Sequence, residues 1–308
     1  MPLSDRWQGI LEHMDMTSYI IAARPWSFTA AAMPILLTAA VTRTPILSLE
    51  VLQALAVGIF VQAGANLTNT YYDYINGIDT KDNPADSSIV EGKVSKRAVF
   101  FLSYLCYAAG IFLASPVLIK TDLNDRMILI FAVGLILAYF YTAKPVGLKY
   151  MALGDITIFL CFGPLLMQFT SLLLTGDINK NIYVYSVPIG LYTEAILHAN
   201  NARDIKADSK AGATTLATLV GKDLSYVFYQ MLFVSAYLGA VAIALWHNWG
   251  VVASLATVPL SANLVSLYKA GKMQELPEET AKAHLPFGIT MILGILFTHR
   301  GALSLLQS

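Results

Sequence analysis

Apolar residues fill long, nearly uncharged stretches of this chain, and short polar segments separate them. A stretch of about 20 such residues is long enough to cross a lipid bilayer as a helix. The chain has nine of these stretches, at about 25–42, 51–73, 98–119, 126–143, 152–175, 182–202, 224–246, 249–268 and 284–304. The pattern therefore predicts an all-α, polytopic membrane protein of about nine transmembrane helices, built as a single domain over residues 1–308.

The composition argues against a soluble fold. Hydrophobic residues make up 56% of the chain and charged residues 13%, whereas about 25% of the residues of an ordinary soluble domain are charged. Lysine plus arginine equal aspartate plus glutamate in number, so the net charge does not point to an acidic partner. We expect the lipid bilayer to surround the protein and no nucleic acid to bind it.

Positive charges are divided unevenly between the two sides of the membrane that nine spans define. One side has fifteen of the 20 lysines and arginines, and the other side has five. Loops rich in these residues stay in the cytoplasm, which predicts a cytoplasmic N-terminus and cytoplasmic loops after the second, fourth, sixth and eighth spans. We expect the first span to direct insertion, because the opening residues do not have the pattern of a cleavable signal peptide.

A polar stripe runs along the second predicted span. At 100° per residue, five polar side chains project within an arc of roughly 100°: Gln62, Asn66, Asn69, Thr70 and Asp73. A single amide in a membrane helix is usually an interhelical hydrogen-bonding group. Five in register exceed that need, and polar groups at membrane depth usually face a cavity or a pathway. The stripe therefore indicates the wall of a polar cavity.

A second stripe lies at the end of the sixth predicted span, within an arc of roughly 120°: Glu194, His198, Asn201, Asp204 and Asp208. The spacing from Asn69 to Asp73 recurs from Asn200 to Asp204, and a further acid follows each pair. This similarity predicts two weakly related half-repeats, at roughly 51–175 and 182–304, whose acidic clusters face one another.

Two facing acidic clusters suit divalent cations and a phosphorylated ligand. Mg²⁺ takes carboxylate and amide oxygens in proteins, together with waters and substrate phosphates. The four acids Asp73, Asp79, Asp204 and Asp208 have four negative charges, and an isoprenyl diphosphate adds about three. Two Mg²⁺ ions with about three basic residues would balance them, and the nearby basic residues are Lys144, Lys149, Arg203, Lys206 and Lys210.

Sequence motifs along nearly the whole chain resemble those of the UbiA superfamily of intramembrane aromatic prenyltransferases. They are RPWSF (24–28), NTYYDYINGID (69–79), YTAKPVGLKYMALGD (141–155), FGPL (162–165), NNARDIKADSKAG (200–212) and LPEETAKAH (276–284). Their wording is most similar to the menaquinone branch. The resemblance implies a bundle of nine spans around a central cavity, with a cytoplasmic cap and a side opening for a long isoprenoid tail.

The resemblance also implies roles for individual residues. One Mg²⁺ is expected on Asn69, Asp73 and Asp79, and a second on Asn201, Asp204 and Asp208. Lys149 and Arg203 are expected to contact the diphosphate during catalysis, with Lys144 and Lys210 as second choices. Asn66 and Asn200 are further candidates for substrate binding.

Four other residues have two interpretations each. Tyr72 and Tyr141 either stabilise an allylic cation through their rings or belong to the aromatic belt at the membrane interface. Glu194 and His198 either orient or deprotonate a quinol hydroxyl, or they make structural hydrogen bonds. Asp155, at the start of the fifth span, is interpreted as a helix N-cap.

The predicted function is Mg²⁺-dependent transfer of a prenyl group, with geranylgeranyl diphosphate as the expected donor, to a naphthoquinol-type acceptor in menaquinone (vitamin K2) biosynthesis. The alternative acceptors are 4-hydroxybenzoate and homogentisate, and a remote alternative is an ion-coupled transporter. The expected location is an endoplasmic reticulum, Golgi or mitochondrial membrane in a eukaryote, or the inner membrane in a bacterium.

Overall fold

The computed structural model describes residues 16–80, 87–120 and 125–305, and these residues are almost entirely helical. The α-helices are α1 (Met16–Ala22), α2 (Thr29–Val41), α3 (Leu49–Ile75), α4 (Ser87–Val90), α5 (Lys96–Lys120), α6 (Asp125–Phe140), α7 (Gly154–Leu160), α8 (Leu166–Thr175), α9 (Lys180–Ala211), α10 (Leu216–Trp246), α11 (Val258–Lys269) and α12 (Leu276–Leu305). Short 3₁₀ helices cover Pro25–Phe28, Leu148–Tyr150 and Trp249–Thr257, and a π-helical segment, Cys161–Leu165, joins α7 to α8.

Six helical stretches of the described residues are long and apolar enough to cross a membrane: Leu49–Ile75, Lys96–Ile119, Gly154–Thr175, Leu216–Trp246, Trp249–Lys269 and Leu276–His299. The other three predicted spans are also helical. However, Pro25–Val41 and Asp125–Phe140 are shorter, and Lys180–Ala211 has a polar C-terminal half. The all-helical, multi-pass membrane fold is confirmed, whereas the number nine stays a prediction.

The predicted half-repeats and the sidedness of the bundle also stay predictions. Two of the basic residues used to assign the sidedness, Arg6 and Lys81, lie outside the described residues.

Caps that are visible in the sequence fix the ends of the two helices with polar stripes. The Ser48 side chain accepts a hydrogen bond from the backbone N–H of Val51 at the start of α3, and the Asn179 side chain does the same for Asn181 at the start of α9. Such caps satisfy backbone donors that have no partner within the helix. Helix α9 ends at Gly212, whose positive φ of 74° is a conformation that glycine adopts easily.

Helix α9 is the central element of the bundle, since it packs against α10, α12, α7, the π-helical segment and α2. The largest core cluster forms around fully buried Tyr192 of this helix. The Tyr192 ring stacks on Phe287 with 4.6 Å between ring centroids and meets Phe233 edge to face at 5.0 Å. Its hydroxyl shares a 2.8 Å hydrogen bond with Ser261, so the polar end of the ring is satisfied within the core.

The segment from residue 141 to 153 is folded back against the C-terminal end of α9. The Lys149 backbone N–H donates to the Tyr141 carbonyl over 2.8 Å. Ala152 N–H donates to the Thr214 carbonyl over 2.6 Å, and Thr214 N–H donates to the Tyr150 carbonyl over 3.2 Å. These bonds tie the turn after α6 to the residues that follow α9, and they place Lys149 beside the polar ends of α3 and α9.

The 3₁₀ helix Trp249–Thr257 packs closely against α12 through two glycines, Gly250 and Gly294. A Cβ atom on Gly294 would overlap the backbone of Gly250. The two helices are therefore in backbone contact at this point, with no room for a side chain. We expect Gly294→Ala to destabilise the protein by about 1–3 kcal/mol, the usual cost of overpacking. Thermal unfolding in detergent measures this loss of stability.

The matched control for that prediction is Gly134→Ala. Gly134 also lies within an apolar helix, but nothing lies within 4 Å of a Cβ built there. We expect this variant to unfold at the same temperature as the parent protein or slightly above it, because alanine favours a helix more than glycine does. Equal losses in the two variants would contradict the packing explanation.

Candidate active site

A cavity of about 330 Å³ opens where the polar ends of α3 and α9 meet the segment 141–153. It collects residues from both predicted stripes. The predicted site residues along its wall are Asn66, Asn69, Asp73, Tyr141, Lys149, Asn200, Asn201, Arg203 and Asp204. One acid from each predicted cluster, Asp73 and Asp204, therefore lies on the wall of the same cavity in the folded chain.

Asp73 is the most heavily bonded carboxylate of the cavity. Lys149 Nζ lies 2.8 and 3.0 Å from its two oxygens, and the Tyr150 hydroxyl donates to Oδ1 over 2.8 Å. Asn69 Nδ2 donates to Oδ2 over 2.9 Å, while Asn69 Oδ1 accepts from Lys149 over 3.4 Å. Asp73 is 2% exposed and Lys149 8%, so this ion pair is buried.

Arg203 makes the corresponding pair on α9. Its Nε and Nη2 atoms donate to the two oxygens of Asp204 over 2.8 and 2.7 Å, a two-point contact that is among the stronger ion-pair geometries. Asp73 and Asp79 also act electrostatically on this guanidinium. Asp79 is buried, and a turn at Gly77 with a φ of 74° brings its backbone N–H within 3.3 Å of the Asp73 carbonyl.

Asp208 differs from these acids because neither of its carboxylate oxygens has a hydrogen-bond partner among the described residues. It is fully buried and lies beyond residue 202, where the apolar part of α9 ends. Burial raises the pKa of Asp208 to about 7, Lys149 opposes the shift, and nearby Asp204 adds to it. A cation would satisfy these oxygens, and the all-oxygen set of carboxylates and amides fits a hard ion such as Mg²⁺.

Seven predicted site residues are not among the described residues that line the cavity: Tyr72, Asp79, Lys144, Glu194, His198, Asp208 and Lys210. Lys144 and Lys210 are exposed and do not belong to the lining found within the described part of the chain. Tyr72 is also absent from that lining and packs edge to face against Tyr71, with 5.1 Å between ring centroids. Of the two tyrosines proposed to face an allylic cation, the geometry therefore favours Tyr141, whose buried hydroxyl has no partner among the described residues.

Glu194 and His198 lie behind the cavity wall in a separate buried cluster with Asp155. His198 Nδ1 is 3.1 Å from Asp155 Oδ1, and Nε2 is 2.8 Å from the Ser225 hydroxyl oxygen. Both ring nitrogens are thus engaged, which favours the structural interpretation of His198. Glu194 is 2% exposed, and neither of its oxygens has a partner among the described residues.

The N-cap interpretation of Asp155 is corrected by the structure. Leu153 occupies the N-cap position of α7, and no side chain caps that helix. Asp155 lies in the first helical turn, and its carboxylate faces His198 instead of the backbone N–H groups. The contact joins residues 43 positions apart, so the local sequence gave no signal of it.

The first two members of the α3 stripe hold the N-terminal segment in place. Asn66 Nδ2 donates to the Ala23 carbonyl over 2.8 Å, and Gln62 Nε2 donates to the Ser27 carbonyl over 2.7 Å. Cavity residues that sequence reasoning missed include some from this segment and some from around the start of α12: Arg24, Trp26, Ser27, Gln274, Pro277 and Glu278. The motifs RPWSF and LPEETAKAH were the signals for most of them, but no residue within either motif was singled out.

A smaller apolar cavity of about 90 Å³ lies beside the first, between α3, α6 and α8. Its wall is almost entirely hydrophobic, and the stacked rings of Phe131 and Phe169 form part of it. The two cavities share five lining residues, namely Gln62, Ala65, Ala138, Cys161 and Phe162. The polar site is therefore adjoined by apolar space within the bundle.

Comparison with known proteins gives consistent matches. The model of the UbiA prenyltransferase family matches residues 28–284. UbiA prenyltransferase domain-containing protein 1 of Danio rerio is 36% identical over 94% of this chain and 87% of its own length, and the Homo sapiens protein of the same name is 34% identical over 98% and 90%.

Two solved structures have the same fold. A UbiA homologue from Aeropyrum pernix K1 superposes with a TM-score of 0.68 at 16% identity, over 86% of this chain and 97% of that one. A UbiA homologue from Archaeoglobus fulgidus, bound to GPP and Mg²⁺, superposes with a TM-score of 0.60 at 16% identity, over 90% and 99%.

The buried pair of Lys149 and Asp73 leads to a stability prediction. Lys149→Met should lower the free energy of unfolding by about 3–5 kcal/mol, because it leaves a buried carboxylate without its counter-charge. Lys149→Met combined with Asp73→Asn should recover most of that loss. Lys144→Met is the control, since Lys144 is exposed in the same turn. Thermal unfolding of these three variants and of Asp73→Asn alone tests the coupling, and additive losses in the double variant would contradict it.

Proposed function

This chain belongs to the UbiA prenyltransferase family, and we propose that it transfers a prenyl group from an isoprenyl diphosphate to a naphthoquinol-type ring, with Mg²⁺, in menaquinone biosynthesis. The expected donor is geranylgeranyl diphosphate. The observation behind the proposal is a cavity whose wall holds one acid from each predicted cluster, Asp73 and Asp204, each paired with a basic side chain.

The comparisons support the parts of this proposal to different degrees. The fold is shared with a homologue that binds GPP and Mg²⁺, which supports a prenyl diphosphate donor and the metal. The naphthoquinol acceptor rests on the motif wording of the menaquinone branch and on relatives about 35% identical over nearly the whole chain. Two Mg²⁺ ions are proposed, one on Asn69, Asp73 and Asp79 and the other on Asn201, Asp204 and Asp208.

Lys149 and Arg203 have a clear task in this scheme. In the ligand-free arrangement each neutralises an acid, Asp73 and Asp204 respectively. Bound Mg²⁺ would give the acids new positive partners, and the two basic side chains would then be free to contact phosphate oxygens. Asp73, Asp204 and the two basic side chains would then keep a counter-charge throughout binding, which avoids the cost of leaving one of them unpaired.

The reaction breaks the bond between C1 of the prenyl group and the diphosphate oxygen, and it forms a bond between C1 and a ring carbon of the acceptor. That ring carbon then releases a proton, which restores the aromatic ring. Bound Mg²⁺ would supply charge neutralisation of the departing diphosphate. Lys149 and Arg203 would stabilise the same negative charge, while apolar side chains such as Ile158 and Phe162 exclude water from the allylic cation.

The apolar cavity between α3, α6 and α8 offers space for the isoprenoid tail, since it adjoins the polar site and contains almost no polar wall. An ion-coupled transporter is not favoured, because the chain belongs to a prenyltransferase family.

Product analysis tests the proposed reaction. Purified protein is incubated with Mg²⁺, a panel of prenyl diphosphates and a panel of acceptors, and the products are identified by mass spectrometry. We expect prenylation of menadiol or 1,4-dihydroxy-2-naphthoate, and no product in EDTA or in Asp73→Ala, Asp79→Ala, Asp204→Ala or Asp208→Ala. If 4-hydroxybenzoate or homogentisate is prenylated well and the naphthoquinols are not, the proposed acceptor class is wrong. Full activity in EDTA would defeat the metal requirement.

Steady-state kinetics test the roles of Lys149 and Arg203. Lys149→Ala and Arg203→Ala should raise the donor KM or lower kcat by roughly tenfold or more, since a hydrogen bond to a charged group contributes about 1.5–3 kcal/mol. The acceptor KM should change little. Exposed Lys144→Ala and Lys210→Ala are the controls. A change confined to the acceptor KM would place these side chains against the acceptor ring and contradict the proposed role.

A further inference from the structure

Arg24 has an unusual backbone conformation for its residue type. Its φ of 54° and ψ of 61° are those of a left-handed helix, a region in which residues with side chains are uncommon. It also precedes Pro25, which restricts the residue before it to extended conformations. Such strain persists only where the surrounding structure enforces it, and it concentrates at functional sites.

A network of hydrogen bonds enforces this conformation. The Arg24 N–H donates to the Ile21 carbonyl over 2.8 Å, and the Arg24 carbonyl accepts from both the N–H and the hydroxyl of Ser27, over 2.9 and 2.8 Å. Gln62 and Asn66 of α3 fix Ser27 in turn, each with its amide nitrogen 3.1 Å from the Ser27 hydroxyl oxygen. The side-chain amides of Gln62 and Asn66 therefore stabilise the turn that contains Arg24.

The charge of Arg24 is available to a ligand. Three basic residues line the main cavity, namely Arg24, Lys149 and Arg203. The second and third pair with Asp73 and Asp204, but no salt bridge to Arg24 forms within the described part of the chain. Glu278 lines the same cavity and pairs instead with Lys282, over 3.0 Å.

The remaining walls of the cavity already suit the donor. The acidic clusters with Lys149 and Arg203 match a diphosphate, and the apolar walls match an isoprenoid tail. The parts left over are formed by residues 24–27 and by Gln274, Pro277 and Glu278. Among these, Arg24 supplies a cation and Trp26 a large ring that is 39% exposed. A guanidinium beside an indole suits a flat aromatic molecule that has oxygen substituents.

We propose that Arg24 and Trp26 form the subsite for the aromatic acceptor, in which the Arg24 guanidinium donates to a ring oxygen and the Trp26 indole stacks on the ring. This inference rests on the proposed prenyl transfer and names the part of the cavity that binds its second substrate. The guanidinium fixes the position of the ring oxygen and stabilises negative charge on it, which orients the ring for attack on C1 of the prenyl group. Arg24 is thus a binding and positioning residue.

The experiment separates the side chain of Arg24 from its backbone. Glycine adopts a positive φ without strain, so Arg24→Gly preserves the turn and removes the guanidinium, whereas Arg24→Ala removes the guanidinium and retains the strain. We expect both variants to raise the acceptor KM by roughly 10- to 100-fold, the value of one charged hydrogen bond, while the donor KM stays within about twofold. Arg24→Lys should fall between these variants and the parent protein.

Arg43 supplies the matched control, because it is also an arginine with a positive φ of 59° but is exposed and lies outside the described cavity wall. Arg43→Ala and Arg43→Gly should leave both KM values unchanged. If Arg24→Gly restores the acceptor KM of the parent protein, the residue acts only through its backbone and the subsite is refuted. A rise confined to the donor KM would assign Arg24 to the diphosphate, which also refutes it.

Acceptor binding without a donor distinguishes this inference from the proposed function. Calorimetric titration of the parent protein with 1,4-dihydroxy-2-naphthoate, and separately with 4-hydroxybenzoate, reports binding alone. Binding that weakens at least about tenfold in Arg24→Gly supports the subsite even if no prenyl transfer is detected, in which case only the proposed function fails. If the parent protein binds neither ring, or if the variant binds equally well, the subsite is wrong.

Discussion

The Asp73 carboxylate can stay buried inside an apolar bundle because Lys149 supplies its counter-charge. A charge without a partner in such surroundings is far more costly than a paired one. Lys149 comes from the segment between α6 and α7, and backbone hydrogen bonds tie this segment to the residues after α9. One ion pair therefore joins α3, the 141–153 segment and the end of α9, and the cavity lies between them.

The cost of an unpaired buried charge also explains why Asp73 and Asp204 are paired with basic side chains in the ligand-free protein. Arg203 neutralises Asp204, Lys149 neutralises Asp73, and Asp208 is held by burial at a pKa of about 7. In the proposed reaction, metal ions and a diphosphate would enter together and bring opposite charges. The basic and acidic side chains would then exchange partners, and neither Asp73 nor Asp204 would lose its counter-charge. In that proposal, the ion pairs that stabilise the ligand-free protein would also prepare it for its substrates.

Helix α9 both packs the core of the bundle and holds residues of the candidate active site. Its middle section packs the largest core cluster through Tyr192, and its C-terminal section holds Asn201, Asp204 and Asp208. The apolar core holds this helix in place, so the acids at its C-terminal end are held near α3. Behind the wall, the pairing of His198 with Asp155 ties α9 to α7 in the same way.

The sequence by itself determined the helical membrane fold, the two polar stripes and the family, because hydropathy and the helical period are properties of neighbouring residues. It also ranked Lys149 and Arg203 above Lys144 and Lys210, yet it could not show that Lys149 is buried against Asp73 or that Tyr141, and not Tyr72, lies on the cavity wall. Only the tertiary structure decided these choices, since they depend on how the 141–153 segment folds back onto α9. Arg24 was missed for the same reason, as its place on the cavity wall depends on a strained turn that distant amides of α3 hold.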